Sequence, residues 1–411
     1  MSPTNVRCCI VGGGPAGMVF GFLLARSGVE VLVLEKHSDF LRDFRGDTIH
    51  PSTLELMYEL GILNELLQRP HQEFPQLGAQ IEDFTVTVAD FSHLPTHCKF
   101  IALMPQWDFL NFIAEQGKVY PHFHLQMDSE VTGLIEENGR VLGVRANTPQ
   151  GLLEVRAHLT VGADGRHSTV REKAGLEVLN LGAPIDVLWM RVARKPDDPR
   201  ETLGRIRAGK ILVTLDRGEY WQCAYVIPKG AFDDIRQKGL PDFRETLVSV
   251  APFMRDRVSA IKDWDDVKLL SVAIDRLRSW SRPGLLCIGD SAHAMSPIGG
   301  VGINLAIQDA VAAANILAPP LLSGSVSDRQ LRAVQRRRMY PTRMTQRLQI
   351  FMQKQFLAPA LQNPKPIRRL PLAFRLFKAF PLFRRIPARM IGLGFRPEHV
   401  RTPSVKTMQT S

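Results

Sequence analysis

The strongest constraint on this chain lies at its start, where a strand, a glycine-rich turn, a helix and a second strand close on one another within 35 residues. Residues 6–11 form an apolar run ending in glycines, the pattern of a strand buried on both faces. Gly12-Gly13-Gly14-Pro15-Ala16-Gly17 follows. Residues 15–28 read as a helix, with Pro15 tolerated in its first turn and Gly28 as its stop. Residues 29–34 are a second β-branched and leucine strand, so the stretch is a βαβ unit. Gly12, Gly14 and Gly17 have the GxGxxG spacing: the first permits the tight turn, the second lets backbone approach a pyrophosphate, and the third lets helix and strand pack closely. Free amides at the helix start then hold phosphate. Glu35, followed by Lys36, ends the second strand 18 residues beyond Gly17. A carboxylate there accepts hydrogen bonds from ribose hydroxyls and repels a 2′-phosphate, which excludes NADP from this site. The unit predicts dinucleotide binding and leaves FAD and NAD open.

Two later motifs favour the flavin. Residues 161–171, VGADGRHSTVR, read as a strand ending in Gly-Ala-Asp-Gly with a helix beginning near Ser168. Residues 286–293, LCIGDSAH, end another strand in Gly289-Asp290, and Pro297, Gly299, Gly300, Gly302 and Asn304 lead into a long apolar helix over 303–317. An aspartate at a strand's carboxyl end bonds a polyol such as a ribityl chain. Amides of Gly302, Ile303 and Asn304 at a helix start stabilise negative charge near a reduced isoalloxazine. Nicotinamide nucleotides have no ribityl chain, so this second site has meaning only for a flavin.

In this order and spacing the three motifs resemble the class A flavoprotein monooxygenases, the family of para-hydroxybenzoate hydroxylase, the ubiquinone-biosynthesis hydroxylases and the polyketide and antibiotic hydroxylases. The match spans about residues 6–320. The resemblance implies FAD as cofactor and NADPH or NADH as co-substrate. It implies that Asp164 and Gly165 serve both nucleotides and that Arg171 closes their segment. Asp290 is then the ribityl ligand and Pro297 stands beside the flavin. Arg45, in Phe44-Arg45-Gly46-Asp47, matches an arginine near the pyrophosphate and the flavin, with a solvated loop arginine as the alternative. Gln106 matches a cofactor contact, with a plain helix-start residue as the alternative. The implied chemistry is hydroxylation of an aromatic or polyketide- or quinone-like small molecule with O2, through a flavin C4a-hydroperoxide kept from water. The rivals are a prenyl-chain reductase or halogenase on the same scaffold, or a non-catalytic flavin-binding protein. Residues 221–228, WQCAYVIP, lack the Trp-x-Trp-x-Ile-Pro spacing of flavin halogenases.

The expected fold is α/β: a Rossmann-like FAD-binding domain with a ββα-type parallel sheet, an interleaved antiparallel-sheet substrate domain and a helical carboxyl-terminal segment. The FAD-binding domain takes 1–75, 100–180 and 270–330, the substrate domain 76–99 and 181–269, and the basic segment 331–411. Helices are expected over 54–67 and 105–116, and β-structure over 79–103 and 185–228, with a hairpin turning at residues 216–219. The substrate pocket is expected between this sheet and the flavin. Strand alternation puts Trp189 and Arg191 on one face of their strand, and Trp221, Cys223 and Tyr225 on one face of theirs. All five are candidate lining residues, with plain core packing as the alternative. His293, His50 and His167 read as packed side chains rather than acid–base groups.

Apolar residues make up 45% and charged residues 23%, an ordinary globular balance. The chain shows neither an 18-residue uninterrupted apolar run nor a signal-peptide pattern. Its five cysteines, Cys8, Cys9, Cys98, Cys223 and Cys287, form no CxxC pair, so reduced thiols in a cytoplasmic protein are expected and no metal site is indicated. From Arg329 onward the chain has 19 Lys or Arg against one acid, Glu398; of the net +11 this segment supplies +18 and the rest of the chain is −7. Residues 367–389 interleave these cations with leucine and phenylalanine. That pattern suits peripheral contact with an anionic membrane; the alternative is a helical cap on the FAD domain with its arginines in water. Prolines, Pro341 among them, are expected to break the segment into short helices. No recognised nucleic-acid fold presents the charge.

Overall fold

The computed structural model describes residues 4–41, 48–199, 203–363, 365–367 and 369–405. Two large sheets organise it. The first has eight strands, five of them parallel in the order Leu285–Cys287, Gly151–Gly162, Thr4–Val11, Val31–Leu34, Phe123–Gln126. Gly151–Gly162 is shared on one side: its first half pairs antiparallel with Arg140–Thr148 and its last three residues pair with Leu285–Cys287. Val31–Leu34 is buried along its length, as a strand covered on both faces must be. The helix Pro15–Arg26 packs between the core helix Val301–Ser323 and the helix Gln106–Lys118.

The second sheet has seven strands, in the order Lys268–Leu270, Ile185–Ala193, Tyr220–Pro228, Lys210–Asp216, Leu203–Arg207, Gln76–Ile81, Phe84–Asp90. It is antiparallel except where Leu203–Arg207 meets Gln76–Ile81. The hairpin turns where its residues predict, with Gly218 N donating to Asp216 Oδ1 at 2.8 Å. One face of the sheet packs on the helix Leu240–Val250. The other turns Ile185, Ile211 and Val226 towards Ile298 in the third motif and towards Leu357 and Leu361.

Three local expectations give way. The helix over 54–67 is two pieces, Pro51–Glu59 and Leu63–Leu66, because Gly61 between them adopts a φ of +74°. The β-structure over 79–103 is interrupted: Phe84–Asp90 ends in a loop, and strand resumes only at Ile101–Leu103. Pro341 does not break its helix, which runs Asp328–Met352. The helix opens on a capping box between Ser327 and Gln330, and Thr342 Oγ1 donates to Arg338 O at 2.9 Å beside the proline. Arg338 on Asp309 and Gln346 on Asp275 O anchor the helix on both sides of Pro341 and offset the one ladder bond it forgoes.

The carboxyl-terminal segment divides: the helix Asp328–Met352 packs on the core helix and the strand Ser281–Arg282 of the first sheet, while the helices beyond 370 cap the second. Leu370, Phe374 and Phe377 pack on Ile81, Phe84 and Val86, and Ala388 packs beneath Phe91 and Leu94. The helical stretch Ile298–Ser323 is long and apolar enough to cross a bilayer, yet 78% of its apolar window is buried inside the protein. The five cysteines are buried and unpaired.

His50 ties these layers together. Its amide donates to Asn304 Oδ1 at 2.9 Å and its Nδ1 donates to Ile391 O at 2.8 Å. Burial holds its pKa down to about 4, against 6.5 in a free side chain. The unfolded chain therefore binds a proton that the folded chain refuses between those values, so this contribution is present above about pH 6.5 and is lost as pH falls towards about 4. Unfolding free energy should drop by roughly 3 kcal/mol across that window from this residue. Urea unfolding at neutral and mildly acid pH should show the drop in the native chain and a flatter response in His50→Gln; equal slopes in the two would contradict it.

Candidate functional site

Register brings the three motifs together. Val11 lies opposite Gly162, and Gly162 opposite Cys287, so three parallel strands end at one level. Their backbones lock there: Ala163 N donates to Val11 O at 2.8 Å, Ile288 N to Gly162 O at 3.0 Å, and Ser291 Oγ to Gly162 O at 2.6 Å. A Cβ on Gly12 would stand 2.4 Å from Ala163 O, and one on Gly17 would stand 2.0 Å from Gly12 O. Only glycine allows this approach. At Gly14, by contrast, the nearest atom to a Cβ is Ala163 O at 3.9 Å, so an open face remains before the helix start, where Pro15 is the first residue. Gly289 sits against Ala16 and Ala306. Arg166 Nη2 stands 4.0 Å from Asp290 Oδ2 and links the second loop to the third.

The carboxylates of these loops do different things. Glu35 is buried, and its oxygens accept from Gly13 N at 2.8 Å and His37 N at 3.1 Å, with His37 Nδ1 alongside at 2.5 Å. Burial pushes its pKa up, but these bonds prevail and hold it below the ordinary range, so it stays ionised. Lys36 beside it is exposed. Asp164 accepts from Ser168 Oγ at 2.5 Å and from Val170 N at 3.0 Å. Its carboxylate shapes its own turn, and burial raises its pKa. What this loop offers a ligand is therefore backbone, including Gly165 at a φ of +84° with open space around it. Arg171 holds the same turn through Arg166 O and lies 3.8 Å from Asp275. Among the described residues Asp290 has only the long contact to Arg166, and its side chain is 34% exposed. It is the carboxylate left free to accept hydroxyls.

In the third motif Pro297 precedes a tight turn, Ile298–Gly300, packed on Thr48, whose Oγ1 donates to Gly300 O at 3.0 Å. The core helix starts at Val301, and the amides of Gly302 and Ile303 lie in its first turn. The side chain of Asn304 is fully committed: it accepts from His50 N and Thr53 Oγ1 and donates to Thr48 O and Gly300 O. Its backbone amide, at the fourth helical position, falls within the helix ladder. Gln106 opens the helix Gln106–Lys118 after Pro105. Arg45 lies outside the described residues. The open face above Gly14, the ionised Glu35 and the free Asp290 fit the pyrophosphate, ribose and ribityl groups of FAD.

The sheet candidates divide. Trp221, Cys223 and Tyr225 belong to the cluster on the helix side, with Phe243 and Leu247, away from the third motif. The indole of Trp221 donates to Asp198 Oδ2 at 2.8 Å, and Arg257 forks the same carboxylate. These three are core, and they do not share a face with Trp189. Trp189 packs on Val187, Val213 and Ala224, the face that turns Ile185 towards Ile298. Arg191 is six residues from Ile185, about 20 Å along the strand, and its guanidinium lies over Tyr220. The side chains that meet the flavin loop are aliphatic: Ile185, Ile211, Val226, Leu357 and Leu361. Parity along a strand does not reveal which face is inward, and aliphatic residues carry no sequence signal of a site.

A second layer was invisible to motif reading. Gln346, Gln349 and Gln353 share one face of the long basic helix and its continuation. Gln346 Nε2 donates to Asp275 O at 2.6 Å and Ala294 O at 3.1 Å. Gln349 Oε1 accepts from Ser296 N at 3.1 Å, and its Nε2 donates to Ser296 O at 2.9 Å and Ile298 O at 3.1 Å. Gln353 Nε2 donates to Ser296 Oγ at 2.7 Å. Behind Gly289, Asp309 Oδ2 accepts from Gly289 N at 3.2 Å and meets His293 Nε2 at 2.5 Å, while Asp309 Oδ1 accepts from Arg338 Nε at 2.9 Å. Burial pushes Asp309 up, but His293 and Arg338 hold it below the ordinary range. His293 is thus a packed partner of Asp309. Alanine at Gln349 strands two buried and one half-buried backbone group of the flavin loop, which should cost about 3 kcal/mol and loosen the cofactor. Thermal unfolding and FAD carried through gel filtration check this; native values for both in Gln349→Ala would contradict it.

Comparison with known proteins accords with this geometry. The FAD binding domain family matches residues 5–348. Over 396 residues the chain is 33% identical to 6-methylpretetramide 4-monooxygenase of Streptomyces rimosus, covering 96% of this chain and 94% of that one. In fold it resembles the anhydrotetracycline hydroxylase OxyS of Streptomyces rimosus, with a TM-score of 0.76 at 21% identity over 96% of this chain and 77% of that one. It also resembles the p-nitrophenol 4-monooxygenase PnpA of Pseudomonas putida DLL-E4, with a TM-score of 0.75 at 20% identity over 96% of this chain and all of that one. The strand-end loops and this kinship together place the chain in the FAD binding domain family, among the class A FAD-dependent aromatic monooxygenases.

Proposed function

We propose that this protein hydroxylates a polycyclic, polyketide-type aromatic molecule, taking electrons from NADPH or NADH. The observation that carries the reading is the near full-length kinship at 33% identity with an enzyme named for oxygenating 6-methylpretetramide. When bound, FAD supplies the redox chemistry: it accepts hydride from the nicotinamide and activates O2 for insertion into a ring. The chain's own residues bind, orient and keep dry. The Gly14 amide and the start of the helix Pro15–Arg26 hold the pyrophosphate, Glu35 the ribose, and Asp290 the ribityl hydroxyls, while Gly13 N serves to fix Glu35. Gly302 and Ile303, in the first turn of the core helix, would offer amides to negative charge on the ring. Ile185, Ile211 and Val226 face Ile298 with hydrocarbon, which suits a flat apolar substrate and excludes water from the oxidant. The nicotinamide then binds transiently at the surface, with Gly165 and its neighbours as one wall.

A halogenase reading is disfavoured because Trp221 is buried core on the far face of the sheet. The test is a panel of phenols, quinolones and polycyclic polyketides with NADH and NADPH. The reading expects at least one compound to accelerate nicotinamide oxidation with matched O2 uptake, and its product to gain one oxygen atom. A reduced double bond without O2 uptake would contradict it. Asp290→Ala should remain folded yet bind FAD about ten- to a hundredfold more weakly, from loss of charged hydrogen bonds. Equilibrium dialysis against FAD measures this, and unchanged affinity would remove Asp290 from the site.

A further inference from the structure

The carboxyl-terminal segment has two apolar faces, and only one is used. Leu370, Phe374 and Phe377 point inward onto the second sheet. Between 372 and 386, six large apolar side chains point outward: Leu372, Leu376, Phe380, Leu382, Phe383 and Ile386, with Leu372 68% and Leu382 66% exposed. A soluble surface rarely gathers such a patch without a partner for it. Around it Arg375, Lys378, Arg385 and Arg389 are exposed as well. No Asp or Glu occurs from 329 to 397, so nothing on this segment neutralises them. The helices Leu372–Ala379 and Arg385–Gly392, joined by the short turn Pro381–Arg384, thus present apolar tips ringed by cations.

We propose that this outer face docks on an anionic lipid bilayer, laying 372–386 in the interfacial plane. Charge decides among occupants. A second copy meeting the patch about a two-fold axis would bring the same uncompensated cations against one another. An acidic protein partner would have to answer both the charges and six apolar side chains spread over two helices and a turn. An anionic bilayer answers both at once: headgroups pair with Lys and Arg while phenylalanine and leucine enter the acyl boundary. The inner face, already anchored on Ile81 and Val86, holds the patch rigidly and brings the second sheet close to the lipid. The buried helix Ile298–Ser323 takes no part.

The test is co-sedimentation of the FAD-loaded protein with vesicles of phosphatidylcholine alone and of phosphatidylcholine with about a third phosphatidylglycerol. The expected result is binding to the anionic vesicles, weakened by salt, with little binding to the neutral ones. Lys378→Gln and Arg385→Gln should each lower partitioning about fivefold. Phe380→Ser and Leu382→Ser should each lower it about tenfold or more. All four lie outside the flavin loops, so FAD content and nicotinamide oxidation should hold. Absence of binding to either vesicle at low salt, or anionic binding that survives all four substitutions, would overturn the proposal. So would a dimer in sedimentation velocity that Phe380→Ser and Leu382→Ser dissolve, since the face would then belong to a second copy.

Discussion

The structure depends on how closely three strand ends approach one another. Gly17 lies so near Gly12 O, and Gly12 so near Ala163 O, that no side chain fits at either glycine. That closeness seats the first helix on the sheet and sets its amino-terminal amides beside the loop at 163–165. The Ile288 to Gly162 bond then places Gly289-Asp290 at the same edge. A ligand whose phosphates, sugar and polyol need separate partners finds them side by side because the strands are in register, and the same register fixes which carboxylates are free. Asp164 is used up in its own turn, whereas Asp290 is left open.

The loop that would face the reacting end of the cofactor is held from behind. Its backbone groups from Ala294 to Ile298 bond glutamines of the long basic helix, and Gly289 bonds Asp309, which Arg338 of the same helix neutralises. Glu398 joins Arg337 and Arg338 to the end of the chain. The basic helix is therefore part of the flavin scaffold. The functional distinction within the carboxyl-terminal segment falls between residues that brace this loop and residues 370–388, which coat the outer strands of the second sheet.

What was legible in the sequence was local. The GxGxxG spacing, the Gly-Asp strand ends and the hairpin at Asp216 each state their geometry in a few adjacent residues. Long-range partnerships were not legible. Asn304 sits where a helix-start ligand belongs, yet its amide group is spent on Thr48, His50 and Thr53, some 250 residues away in sequence. Alternation correctly groups Trp221 with Tyr225, but alternation alone gives no sign of which face meets the flavin loop. Pro341 reads as a break because proline rules are local, while bonds that hold its helix on either side come from tertiary neighbours, Asp309 to Arg338 and Asp275 O to Gln346. The aliphatic patch of Ile185, Ile211 and Val226 gave no signal because its composition is that of any core.

The central claim is that register alone assembles a single flavin site from three strand ends. Titrating cofactor-free protein with FAD while following flavin fluorescence and the visible bands tests it most directly. The account predicts saturable binding at one equivalent per chain with a perturbed visible spectrum. Free-flavin fluorescence and an unshifted spectrum throughout the titration, from a protein that is otherwise folded, would contradict it.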